Sequence, residues 1–211
     1  MNRTERFSSI YQTNWFQGTE SRSGTGSSDV QTVFFRSELV RLCRELGVKV
    51  LLDVCGDCHW MSKTWGDLCP YVEKYVGMDI VPEVISQNAS RYSSDRIGFI
   101  CKDIVSSPLP DGDLLLCRDV LVHLSSESTL KFLRNFASSN IKWLLTTTFV
   151  DAKRTNSEFE DGTGWYAINL SGPPFNLPRP KETINERCTE HDGAYGDKSI
   201  GLWARSSLCG I

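Results

Sequence analysis

No apolar run of roughly 18 residues exists in the 211-residue sequence, so no segment is long enough to cross a bilayer as a helix. The opening stretch, MNRTERFSSIYQTNWFQGTE, also lacks the apolar centre of roughly 7 to 15 residues that marks a secretory signal. A cytoplasmic protein with no membrane partner is expected. Charge of one sign is missing too: 23 Lys plus Arg stand against 26 Asp plus Glu, and no block of five like charges could follow a phosphate backbone. Nucleic acid is not an expected partner. The 8 cysteines are scattered, several inside apolar runs where Cys acts as a small hydrophobe, so reduced thiols are expected rather than a disulfide framework. Internal repeats and low-complexity tracts are absent as well. What remains is a chain with 40% apolar residues, long enough for one domain with a sizeable core.

The first 29 residues end in SRSGTGSSD, rich in Gly and Ser, and read as an N-terminal lid or loop segment, with a single domain over 30–211. From Ser28, with Asp29 as a candidate N-cap, apolar residues recur at helical spacing until Gly47. KVLLDV (49–54) is a short apolar strand, CGDCHWMSKTWGDL a loop entering a helix, and YVEKYVGMDIV (71–81) contains the next strand. The alternation continues with a helix over 82–94, strands over 97–104 and 113–122, a helix over 127–138 and a strand over 142–150. Residues 151–185 hold four prolines and read as long loops, before a late apolar run over 199–208. Strands alternating with helices indicate an α/β fold with a mostly parallel sheet covered on both faces.

In such sheets ligands collect at the carboxyl ends of the strands, where loops converge and helix N-termini offer unpaired amides. After the first strand come Asp53, Cys55, Gly56 and Asp57; after the second comes Asp79, 23 residues beyond Gly56, near the spacing of an acid that grips a ribose diol. Asp103 follows the third strand. Arg118, Asp119 and His123 follow the fourth.

Each has a plainer reading. Asp79 and Asp103 could be turn acids, Arg118 and Asp119 a local ion pair, and His123 a satisfied histidine near the N-cap Ser125. Trp15, Trp165 and Tyr166, aromatic residues in polar Gly-rich loops, are candidates to close over a small ligand, as are His59 and Trp60. Cys55, Cys58 and His59 spell C-x-x-C-H, the attachment motif of a c-type haem. Without an export signal, and without a second ligand pair for zinc, two ordinary thiols are expected there and no metal.

Taken in order, LLDVCGDCHWM, YVGMDIV, FICKDI and DLLLCRDVLVHLS resemble four motifs of the class I S-adenosylmethionine-dependent methyltransferases, over roughly residues 21–205. The resemblance implies a Rossmann-like, doubly wound, mostly parallel seven-stranded sheet, and S-adenosyl-L-methionine as cofactor. It implies that Asp53, Cys55, Gly56 and Asp57 form the donor turn and that Asp79 grips the ribose hydroxyls. Ile80 would pack on adenine, Asp103 and Ile104 would face the adenine amino group, and Arg118 with Asp119 would line the methionine and acceptor region. The set SGTGSS, DVCGDCHWM, CRDVLVHLS, LLTTTF and PPFNLP is similar to a group of small bacterial-type methyltransferases. The expected acceptor is a small polar molecule such as a sugar, an amino-acid derivative or a secondary metabolite, with His123 or Asp119 as base. One departure stands out: the turn holds only Gly56, and Asp53 lies one residue closer to it than the family pattern has. That keeps open a catalytically inactive methyltransferase-like binding module. A NAD-dependent oxidoreductase also suits an acid after the second strand but lacks the G-x-G-x-x-G turn.

Overall fold

The computed structural model describes residues 1–54 and 56–211, which form two compact units, 1–102 and 103–211. The first unit opens with a helix, α1 (Arg3–Thr13), where the sequence led us to expect a loop. A reciprocal capping box starts it: Asn2 Oδ1 accepts from Glu5 N, and the Glu5 carboxylate accepts from Asn2 N, both at 2.9 Å. Phe7 and Tyr11, one turn apart, point to one face and pack with Ile80, Val81 and Val84. Asn14, in the left-handed region at φ 48°, ends the helix.

Next come α2 (Asp29–Glu45), β1 (Val50–Val54), α3 (His59–Leu68), β2 (Lys74–Asp79), α4 (Pro82–Tyr92) and β3 (Ile97–Cys101). Ser28, rather than Asp29, is the N-cap of α2, and Pro82 opens α4 where its missing N–H costs nothing. β1 pairs parallel with β2, and β2 with β3. Leu39, Leu51, Leu52, Met61, Leu68 and Tyr75 fill the core of this unit.

The second unit contains β4 (Leu114–Cys117), α5 (Ser126–Ala137), β5 (Trp143–Phe149), β6 (Glu182–Asn185) and β7 (Lys198–Ala204). Ser125 caps α5 by accepting from Ser128 N at 3.2 Å. β4 is shorter than the apolar run 113–122 suggests, because Asp119 adopts φ 55° and the chain turns into a 3-10 helix at Leu121–His123. β4 pairs parallel with β5, whereas β7 runs antiparallel to both β5 and β6. Gly201 is required in β7: a Cβ there would lie 2.3 Å from the ring of Trp203, whose Nε1 donates to Pro178 O at 2.8 Å. The seven strands take the order β3-β2-β1-β4-β5-β7-β6 in a mostly parallel sheet, the Rossmann-like α/β arrangement expected from the sequence.

Candidate functional site

In the first unit the strand ends bring Gly56 and Asp79 together across 23 residues of sequence. Asp79 closes β2 half-buried, and its Oδ1 accepts from Val81 N at 2.8 Å. Burial pushes its carboxyl up to about 6, against the amides of Val81, Gly56 and Ile80, which favour the carboxylate, and Asp57 adds to the rise. Ile80 is half-buried beside it, against the α1 cluster.

The other acids of the turn are committed to the protein itself. Asp53 is buried and accepts from Tyr75 Oη at 2.6 Å, and Tyr75 Oη also lies 3.4 Å from Cys58 Sγ. Asp57 accepts from Ser21 Oγ and from Arg22 N, both at 2.9 Å, so it fastens the Ser-rich segment beside the turn. Gly56 has φ 51°, and a Cβ on it would fall 2.4 Å from Ser23 Oγ. Cys55 lies outside the described residues. Trp60 is buried, edge-on to Phe35 with ring centroids 5.4 Å apart, as a packing residue. Trp15 is exposed.

In the second unit, Asp103 accepts from Val105 N at 2.9 Å and Ser106 Oγ at 2.7 Å, forming a local turn, and Ile104 is buried. Arg118 is buried and directed to protein carboxylates: its Nε donates to Glu186 Oε1 at 2.6 Å, and its NH1 lies 3.0 Å from Asp119 Oδ2. Lys198 Nζ donates to the same Asp119 oxygen at 2.6 Å, while Thr147 Oγ1 accepts from Asp119 N at 2.8 Å. Burial alone would raise the Asp119 carboxyl, but Arg118 and Lys198 outweigh it and hold it at about 2. Such a carboxylate is a poor proton acceptor at neutral pH.

His123 is placed differently. Burial holds its imidazole below the ordinary value, partly offset by Gly164 O and Asp119. Nδ1 lies 3.1 Å from the carbonyl oxygen of Gly164, and a carbonyl only accepts, so Nδ1 carries the proton and Nε2 is the basic nitrogen of the neutral ring. Tyr166 packs edge-on to Phe159, with a buried hydroxyl that has no hydrogen-bond partner among the described residues. Burial raises its phenol. Trp165 is 41% exposed and stacks edge-on with Phe149 and Tyr195.

Sequence reasoning missed four partners that shape these groups: Asn88, whose Nδ2 donates to Gly56 O at 2.7 Å, Tyr75, Glu186 and Lys198. An Asn inside a helix and a Tyr inside a strand carry no motif; a polar residue facing the buried side of α4 was the available signal for Asn88.

Residues 52–139 match the family described as a methyltransferase domain. Among solved structures, the chain is similar to the N-methyltransferase NodS from Bradyrhizobium japonicum WM9 in complex with S-adenosyl-l-homocysteine. That likeness has a TM-score of 0.67 and 15% identity over 92% of this chain and 97% of that one. It is also similar to magnesium protoporphyrin IX methyltransferase from Synechocystis PCC 6803 with bound SAM, at a TM-score of 0.64 and 15% identity over 96% and 94%. Human N-acetylserotonin methyltransferase in complex with SAM gives a TM-score of 0.62 and 17% identity over 97% of this chain and 60% of that one. No curated protein matches. No helix is long and apolar enough to cross a membrane among the described residues.

Proposed function

We infer that this chain, which has the class I methyltransferase fold and matches the methyltransferase domain over residues 52–139, transfers a methyl group from S-adenosyl-L-methionine to a small polar acceptor. The observation that carries the reading is Asp79, a half-buried carboxylate at the end of β2, oriented by the amides of Gly56, Ile80 and Val81. A carboxylate held in this way suits the two hydroxyls of a ribose, and half-buried Ile80 offers an apolar face for a base. Asp53 and Asp57 shape the turn through Tyr75 and Ser21 rather than holding the donor.

When bound, the sulfonium supplies an activated methyl group, and its transfer demands alignment and exclusion of water more than catalytic groups. For a hydroxyl or ammonium acceptor, His123 takes the proton on Nε2, and Asp119 is assigned to fixing the local chain instead. Trp165 and Tyr166 are assigned to the acceptor, with a sugar, an amino-acid derivative or a secondary metabolite as its class. The cytoplasmic setting and the lack of a nucleic-acid partner expected from the sequence go with this reading.

Titration of S-adenosylhomocysteine by calorimetry tests it. Micromolar binding is expected, weakened about tenfold or more in Asp79→Ala, since a hydrogen bond to a charged group contributes about 1.5–3 kcal/mol. A wild-type chain that binds no S-adenosylhomocysteine would favour the non-catalytic module, which Ser21 and Ser23 held over the donor turn would then explain.

A further inference from the structure

His59 was singled out in the sequence as the tail of C-x-x-C-H, yet its neighbours in the structure are two acids with no motif relation to it. Nε2 lies 3.4 Å from Asp29 Oδ1 and 3.5 Å from Glu20 Oε2. The nitrogen is shielded from solvent and makes no hydrogen bond to any described residue. A protonated imidazole paired with a carboxylate would sit about 2.7–2.9 Å from one oxygen. Here the nitrogen stands at nearly equal, longer distances from two.

Those distances suit three ligands around a common point. Ligands about 2.1 Å from a zinc ion at the tetrahedral angle are about 3.4 Å apart. The one His nitrogen and two carboxylate oxygens lie within 4.8 Å of one another. Backbone architecture fixes all three: Asp29 opens α2, His59 opens α3, and Glu20 Oε2 accepts from Asp29 N at 2.9 Å. Lys63 lies 3.3 Å from the other oxygen of Asp29, and Arg36 lies 3.5 Å from Oδ1, so neither sits at ideal ion-pair distance on the ligand atom.

We propose that Glu20, Asp29 and His59 form a site for a divalent transition-metal ion, zinc by its mixed nitrogen and oxygen donors, that ties the segment around Glu20 and Asp29 to the start of α3. Three protein ligands leave one position for water. The clip lies next to a second attachment of the same segment, the bonds from Ser21 and Arg22 to Asp57. The proposal departs from the metal-free expectation drawn from the sequence and stands apart from donor binding.

The test is zinc binding by the chelator-treated full chain, read by calorimetry and by melting temperature, with Mg²⁺ as comparator. One Zn²⁺ per chain is expected, with a zinc-dependent rise in melting temperature and weaker response to Mg²⁺, which prefers oxygen donors. His59→Gln should weaken zinc binding by more than about tenfold, since loss of even an outer partner costs about 10–100-fold. Glu20→Gln changes a side chain 44% exposed, keeps an oxygen able to accept from Asp29 N and should also weaken binding. Cys58→Ser should leave binding intact. No zinc binding below millimolar concentration, or binding that survives His59→Gln and is lost in Cys58→Ser, overturns the proposal.

Discussion

Asn88 Nδ2 donates to the carbonyl oxygen of Gly56 at 2.7 Å, so a side chain buried within α4 supports the turn that follows β1. Replacing it by Ala removes the donor and leaves the carbonyl short of this partner. The expected loss is about 0.5–1.5 kcal/mol in urea denaturation, the net contribution of a part-buried hydrogen bond. S-adenosylhomocysteine affinity should fall with it, because Asp79 takes one of its amides from the same turn.

Gly56→Ala meets two separate obstacles: the left-handed backbone at φ 51°, and Ser23 Oγ at 2.4 Å from the new Cβ. The backbone part should cost about 1–2 kcal/mol. Adding Ser23→Ala relieves the contact but not the backbone, so the double variant should recover only part of the stability lost. Full recovery in the melting temperature would show that backbone strain is not the cause.

The raised carboxyl of Asp79, at about 6, fixes the direction of a pH effect. The folded chain holds this proton more tightly than the unfolded chain, so the contribution is full below the ordinary value of 3.8 and disappears as pH rises through about 6. Between those limits the wild type should lose stability relative to Asp79→Asn as pH increases. Urea midpoints of the two chains at successive pH values measure it, and parallel curves would refute it. Nucleoside binding should strengthen over the same window, as the carboxylate forms.

How much of this was legible in the sequence differs from one element to the next. The apolar runs of β1, β2, β4 and β5 and the alternation with helices read directly, because buried parallel strands need near-continuous hydrophobic residues. Helix α1 did not, since its signal is a capping box at Asn2 and Glu5 followed by only two well-spaced aromatic residues. Among the candidate site residues, the placement of Asp79 at the end of β2 followed from position alone. The engagement of Asp53, Asp57, Asp103 and Arg118 with protein partners could not be read, because Tyr75, Ser21, Ser106 and Glu186 reach them by tertiary placement or loop geometry that spacing does not encode.

Lys198→Met should be among the costly single changes. It removes a buried cation 2.6 Å from Asp119 and 3.6 Å from Glu186, leaving Arg118 to face both acids. Breaking a buried pair in this way costs about 3–5 kcal/mol. The low carboxyl of Asp119, at about 2, adds a pH signature: its contribution is full above the ordinary value of 3.8 and is lost as pH falls through about 2. Acid unfolding of Lys198→Met should therefore begin at higher pH than in the wild type, as followed by tryptophan fluorescence.

Phe7 and Tyr11 of α1 share one apolar cluster with Ile80, Val81 and Val84, at the end of the strand that carries Asp79. Whatever orders Ile80 also anchors the first helix, and by reciprocity whatever loosens that helix should weaken ligand binding at the site proposed there. If the proposed nucleoside site lies beside Ile80, amide exchange in residues 3–13 should slow when a nucleoside is added, and unchanged exchange would count against it. Cleavage between α1 and α2 should likewise lower affinity at the proposed site, with Asp79 and Ile80 still in place.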